Sequence, residues 1–204
     1  MKKTDIFRSA IFAGICIGVA GFGYLVNPTI GMFLFIFGLA TVVQYRLKLF
    51  TGTAGWVENR SDMLDLLIIL LGNMLGCLLV SLLARCSAQD LTAAAETVLD
   101  KRLANGWWRS GLLSVGCGFL MTTAVNFARK SKQFGDWVPL LLAVPLFIHC
   151  GFPHCIADTF YYMTCSPQTL FAQPLFWLLY PAIIIGNFLG CNLYKVFLRK
   201  QYRE

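Results

Sequence analysis

The sequence predicts an all-α polytopic membrane protein: six transmembrane helices in two inverted three-helix repeats, with helices two and five broken. Three observations predict this. The 204 residues are 57% hydrophobic and 13% charged, with mean hydropathy +0.66, more apolar than a soluble domain of this size needs. Apolar runs near the ~20 residues of a membrane-crossing helix recur along the chain. Finally, Gly72-Asn73-Met74-Leu75-Gly76-Cys77 returns, with one change, as Gly186-Asn187-Phe188-Leu189-Gly190-Cys191. An Asn kept at one place in two apolar runs is a costly group to repeat. Two similar halves inserted in opposite senses build a pseudo-two-fold pore or transporter, with its working site near mid-membrane.

The spans fall at about 7–26, 31–58, 63–85, 108–128, 137–163 and 173–198. The first follows a basic start, Met1-Lys2-Lys3. It is span-length and lacks a small-x-small cleavage site, so it reads as a retained helix. Gly14, Gly18 and Gly21 fall near one side of it and suit close helix packing. The second span is interrupted at Lys48-Leu49-Phe50-Thr51-Gly52-Thr53-Ala54-Gly55, the fifth at His149-Cys150-Gly151-Phe152-Pro153-His154-Cys155. Gly and Pro end helical hydrogen bonding, and non-helical backbone at membrane depth is tolerated only inside protein or along a wet cavity. Corresponding breaks in two halves therefore mark a substrate path. Between spans three and four, 86–107 is the longest polar stretch, with a short helix expected over Leu91–Leu99. The whole chain, 1–204, reads as one transmembrane domain, with repeat one at about 7–85 and repeat two at about 108–198.

The net charge of +7 is topological. With both termini in the cytoplasm, the inside takes Lys2, Lys3, Arg8, Arg60, Arg129, Lys130, Lys132, Lys195, Arg199, Lys200 and Arg203. The outside takes Arg85, Lys101, Arg102 and Arg109, while Arg46 and Lys48 fall near the first break. This satisfies the positive-inside rule, and scattered charges at helix ends give no nucleic-acid patch. Most of the eight cysteines lie inside spans as small buried side chains; Cys86 and Cys165 lie near outer helix ends. No paired carboxylates, nucleotide-binding loop or nucleophile–base set points to an enzyme, and no cofactor is expected.

These motifs together resemble the formate/nitrite transporter family, pentameric bacterial channels for small monovalent anions. The family's Gly-Phe-Glu-His-x-Ile-Ala-Asn signature in the fifth-helix break reads here Gly151-Phe152-Pro153-His154-Cys155-Ile156-Ala157-Asp158. Its acidic residue before Leu-Phe-Thr in the second-helix break reads Lys48-Leu49-Phe50-Thr51, and its Gly-Asn-x-x-Gly in the last helix reads Gly186-Asn187-Phe188-Leu189-Gly190. The similarity covers about residues 7–198. Pro153 for Glu, Asp158 for Asn, Lys48 for an acid and Gly118 for a frequent Asn are departures. The resemblance implies an aquaporin-like protomer, a homopentamer, a bacterial inner membrane and a small anion as substrate. It implies His154 as the central pore histidine, with Asn187 and Thr51 as its neighbours. It further implies Phe147 at an outer constriction, Leu49 and Phe50 at an inner one, Phe35 and Leu39 completing the slits, and Lys101 or Arg102 as the family's vestibule cation.

The physical chemistry suits formate, nitrite or hydrosulfide. A bare ion entering a low-dielectric slit faces an idealised cost of about 20 kcal/mol, a neutral acid far less. A basic vestibule gathers anions, and a central histidine stabilises one or shares a proton. His149 matches no family position and reads as packing or vestibule. The rival reading is a metal-binding membrane protein or transporter using the His149-Cys150/His154-Cys155 cluster, whose ligands suit zinc or copper. Asn73 is expected to hold helices together or cap the broken span.

Overall fold

The computed structural model describes residues 2–130 and 133–197, and every regular element among them is helical. Lys132, Arg199, Lys200 and Arg203 lie outside the described residues. α1 (Lys3–Val26) and α2 (Pro28–Gln44) meet at Asn27. The Asn27 side-chain oxygen accepts from the Thr29 and Ile30 N–H groups, each at 3.1 Å, and Pro28 opens α2 where an N–H would be orphaned anyway. The chain is irregular over 45–49. It then forms the four-residue α3 (Phe50–Thr53) and a 3-10 turn at Ala54–Trp56, so the second apolar run is indeed interrupted.

α4 (Arg60–Ala84) opens with a capping box between Asn59 and Asp62. α5 (Leu91–Arg129) is capped by Asp90 and bends at Gly106, whose φ of 74° lies in the region other residues avoid. The helix expected over Leu91–Leu99 is therefore longer, because nothing in the sequence stops it before Gly106. Leu91, Ala95 and Leu99, four apart, form its buried face. Its outer side is tied down by Glu96, which accepts from the Ser166 N–H at 3.2 Å. The Thr169 hydroxyl and that N–H hold the Glu96 carboxyl below its usual range.

The fifth apolar run is α6 (Val138–His149), a break over 150–154, and α7 (Cys155–Thr164). Gly151, at φ 68°, turns the chain there. α8 (Pro167–Phe171), α9 (Phe176–Cys191) and α10 (Leu193–Phe197) complete the fold, and Asn192 between the last two donates to the Ala54 carbonyl at 3.1 Å. α1, α4 and α5 are long and apolar enough to cross a membrane; the apolar helices α2, α6 and α9 are shorter.

The tightest packing is α1 on α4 and α5 on α9. In each pair a glycine of the repeated hexapeptide makes the approach possible. A Cβ at Gly76 would overlap the Ile11 carbonyl, and one at Gly190 the Val115 carbonyl. The adjacent asparagines hold the breaks. Asn73 Oδ1 accepts from the Phe50 N–H at 2.9 Å, and its Nδ2 donates to the Lys48 and Ala10 carbonyls at 2.9 and 2.8 Å. Asn187 Oδ1 accepts from the Cys155 N–H at 2.8 Å, and its Nδ2 donates to the Pro153 and Ser114 carbonyls at 3.0 and 2.8 Å. Each amide thus spans one residue of a break and ties it to a neighbouring long helix. The cysteines closing the hexapeptides reach across: Cys77 to the Ile156 carbonyl at 3.3 Å and Cys191 to the Thr51 carbonyl at 3.2 Å.

Replacing Asn73 or Asn187 with Leu removes all three bonds and strands buried backbone groups, at about 1–3 kcal/mol for each group left unpaired. Either variant should lose several kcal/mol of stability, read as a lower melting temperature of the solubilised protein. Wild-type melting in both would refute the role assigned to these amides.

Candidate functional site

His154 sits in the second break, immediately before α7, and is buried. Its extended backbone, φ −111°, is that of a helix N-cap, and its Nδ1 accepts from the Ala157 N–H at 3.1 Å. An imidazole nitrogen that accepts carries no proton, so the ring is the Nε2–H tautomer. Nε2–H points to the Thr51 hydroxyl, 3.0 Å away in the first break. The two interruptions of the chain thus meet through one side-chain hydrogen bond.

Aromatic rings cover this pair. The Phe147 ring centroid lies 5.7 Å from that of His154, and Phe35 meets Phe147 edge-on at 5.9 Å. Phe35, Leu39, Leu49, Phe50 and Phe147 are all buried in one apolar core, with Leu49 and Phe50 directly preceding Thr51. Asn187 flanks His154 by bonding to the carbonyl of Pro153 and the N–H of Cys155. The three hydrogen bonds of its amide go to backbone, so it shapes the break.

Phe147 and His154 form part of the wall of a cavity of about 250 Å³. Tyr24, Lys101, Arg102, His149, Asp158 and Tyr161 also line it. His149 is exposed at this wall. The family resemblance left Lys101 and Arg102 undecided, and both reach the cavity, in different states. Lys101 is exposed. Arg102 is inserted: Nη1 donates to the Gly151 carbonyl at 2.7 Å, while Nε and Nη2 face the Asp158 carboxylate at 3.3 and 3.4 Å. The Tyr162 hydroxyl donates to the same carboxylate at 3.5 Å.

Sequence reasoning singled out Asp158 only as a departure from the family pattern and missed its pairing. The signal was there: an acid in an apolar helix needs a cation, and Arg102 begins no span of its own. The metal alternative divides in two. His149 and Cys150 are exposed, His154 and Cys155 are buried, and both His154 nitrogens have partners. Among the described residues no three His, Cys, Asp or Glu side chains converge as a ligand set. Cys86 and Cys165 are free thiols.

The chain has only two histidines, so nitrogen NMR on histidine-labelled protein can resolve His154. It should report the Nε2–H tautomer, with a His149→Gln sample giving the assignment. A proton on Nδ1 would contradict the capping geometry.

A family profile described as formate/nitrite transporter matches residues 1–198. The formate channel FocA of Haemophilus influenzae is 24% identical over 198 residues, covering 84% of this chain and 70% of that protein. The formate channel FocB of Escherichia coli is 23% identical over 230 aligned positions, covering 97% of this chain and 82% of its own length. Among solved structures, a pentameric formate channel with formate bound superposes with a TM-score of 0.83 at 20% identity, over 99% of this chain and 98% of its own. An FNT family ion channel gives 0.78 at 16% identity, over 98% and 90%. The named relatives are channels, and the structural likeness establishes the fold. With the profile matching residues 1–198 of the chain and the apolar helices described above, the chain is a multi-pass membrane protein that belongs to the formate/nitrite transporter family.

Proposed function

We propose that the chain is a channel for small monovalent weak-acid anions, formate, nitrite or hydrosulfide, with His154 at the centre of its path. One observation carries this reading: the His154–Thr51 hydrogen bond joins the two helix breaks beneath Phe147 and Phe35, at a cavity wall that carries Lys101. The curated relatives are formate channels, and their substrate class fits such a site.

The path runs through one protomer of six spans, α2 with α3 and α6 with α7 forming the broken second and fifth. Inverted repeats are supported by contacts that recur in corresponding pairs and by the two breaks facing each other. Lys48, at the first break, bonds through its N–H to Ser9 at the start of α1, while Gly52 accepts from Arg129 at the end of α5. The first helices of the two halves therefore point oppositely. The protomer forms a homopentamer, as the solved relative does, in a bacterial inner membrane with both termini cytoplasmic.

The geometry bears on how a proton is shared. His154 offers Nε2–H as a donor. Forming an imidazolium requires a proton on Nδ1, where the Ala157 N–H already points. The histidine therefore acts as a hydrogen-bond donor whose Nε2–H turns from the Thr51 hydroxyl to the passing oxygen, and complete transfer would first have to open the α7 cap. The proton that neutralises the substrate then comes from bulk solution, and low dielectric in the slit favours the neutral form.

His154→Phe keeps an aromatic ring but removes the donor and the cap. It should reduce formate flux into proteoliposomes at least tenfold while the oligomer still assembles. His149→Phe should retain most of the flux, and the reverse pattern would put the path elsewhere.

Flux of the weak acid should rise as external pH falls, because more is delivered neutral, while chloride crosses poorly in the same vesicles. Chloride conduction equal to that of formate, with no pH dependence, would mean a simple anion pore.

A further inference from the structure

The wall of the cavity carries Lys101, Arg102 and Asp158 beside His149. Arg102 and Asp158 are not independent. Their side chains are 14% and 1% exposed, and the guanidinium turns its Nε and Nη2 edge onto the carboxylate. A third guanidinium donor is taken by the Gly151 carbonyl. The backbone carbonyl of Arg102 accepts from Ser110 at 3.3 Å across the Gly106 bend. Both partners are therefore fixed from several sides, and the positive field of Arg102 is cancelled where it would meet an approaching anion.

We propose that Asp158 sets the charge selectivity of the outer vestibule, by holding Arg102 in an internally neutral pair so that Lys101 is the side chain recruiting anions. The field of a close opposite-charge pair falls off much faster than that of a single charge. An unpaired guanidinium within about 6–10 Å of an anion, at an effective dielectric near 20, would change its affinity on the order of tenfold or more. A cation of that strength beside His154 would retain the anion in the vestibule. The neutral pair lets Arg102 brace the break at Gly151 without building an anion trap above the aromatic constriction. Lys101, out in solvent, gathers anions weakly and remains open to salt screening.

The proposal rests on the channel reading for its physiological meaning, and its test separates the two. Formate flux is measured in proteoliposomes at one fixed pH, at low and high salt. Four proteins are compared: wild type, Lys101→Gln, Asp158→Asn, and the double variant Arg102→Gln/Asp158→Asn, which keeps hydrogen-bonding groups but no charge.

The salt dependence of half-saturation should vanish in Lys101→Gln and persist in the double variant. Lys101→Gln should raise half-saturation several-fold more than it lowers maximal flux. Asp158→Asn should lower half-saturation on the order of tenfold and slow the maximal flux. Salt dependence that survives Lys101→Gln but disappears in the double variant would overturn the proposal. So would an assembled Asp158→Asn protein with wild-type half-saturation. Should a stranded guanidinium prevent Asp158→Asn from assembling, the other two variants decide. If wild type passes no formate, the channel reading fails. Calorimetric titration of formate into the solubilised proteins then decides this proposal by the same pattern across variants and salt.

Discussion

The rest of the structure depends on one constraint: two stretches of non-helical backbone lie deep in an apolar protein, and their N–H and C=O groups need partners that lipid cannot provide. Asn73 and Asn187 meet that need with the same three-bond pattern, one acceptor and two donors, each spanning the residue that sits in a break. The spanned residues are Leu49 in the first half and His154 in the second. The same scaffold thus presents an apolar side chain at one break and a polar one at the other. Only the second half supplies the histidine, and the first supplies Thr51, two residues beyond its spanned leucine.

That asymmetry gives the site its chemistry. A histidine whose Nδ1 caps α7 is held in one tautomer by the protein's own backbone, which leaves Nε2–H as its one donor group. The cap also explains why His154 tolerates burial: each ring nitrogen has a partner, and no charge has to be accommodated. The aromatic cover of Phe147 and Phe35 keeps the dielectric low around the donor. In that setting a weak acid is far easier to pass than a permanent ion.

Much of this was legible in the sequence, and for a physical reason. Breaks in apolar helices have few chemical spellings, so Gly151, Pro153 and the Thr51-Gly52 pair stood out against a uniform background. The repeated Gly-Asn-x-x-Gly marked the supports of those breaks, because close approach needs glycine and freed backbone needs an amide. The role of Asn187 was less legible: the family resemblance implied a place beside His154, but not which way its amide turned. Arg102 and Asp158 were each noticed, yet 56 residues of chain separate them, and no local periodicity signals a contact at that range. The length of α5 was underread because Gly106 was the true punctuation and the preceding polar residues are sound helix formers.

The departures from the family pattern sort along the same line. Pro153 contributes its carbonyl to Asn187, and a proline has one as any residue does. Lys48 contributes its carbonyl to Asn73 and its N–H to Ser9, neither of which involves the ammonium group. Asp158 contributes helical backbone to α7, and its carboxylate is matched by Arg102. In these three cases the backbone role is independent of the side chain, so the fold is indifferent to the change; Gly118 differs, because a Cβ there would overlap the Asn187 carbonyl. The residues that cannot vary this way are the two asparagines and His154, whose side chains bond to backbone, and the glycines at helix crossings, where a Cβ would overlap the facing helix. A fold held by side chain–backbone bonds at its breaks leaves the charges around its path free to change, and with them what the channel selects.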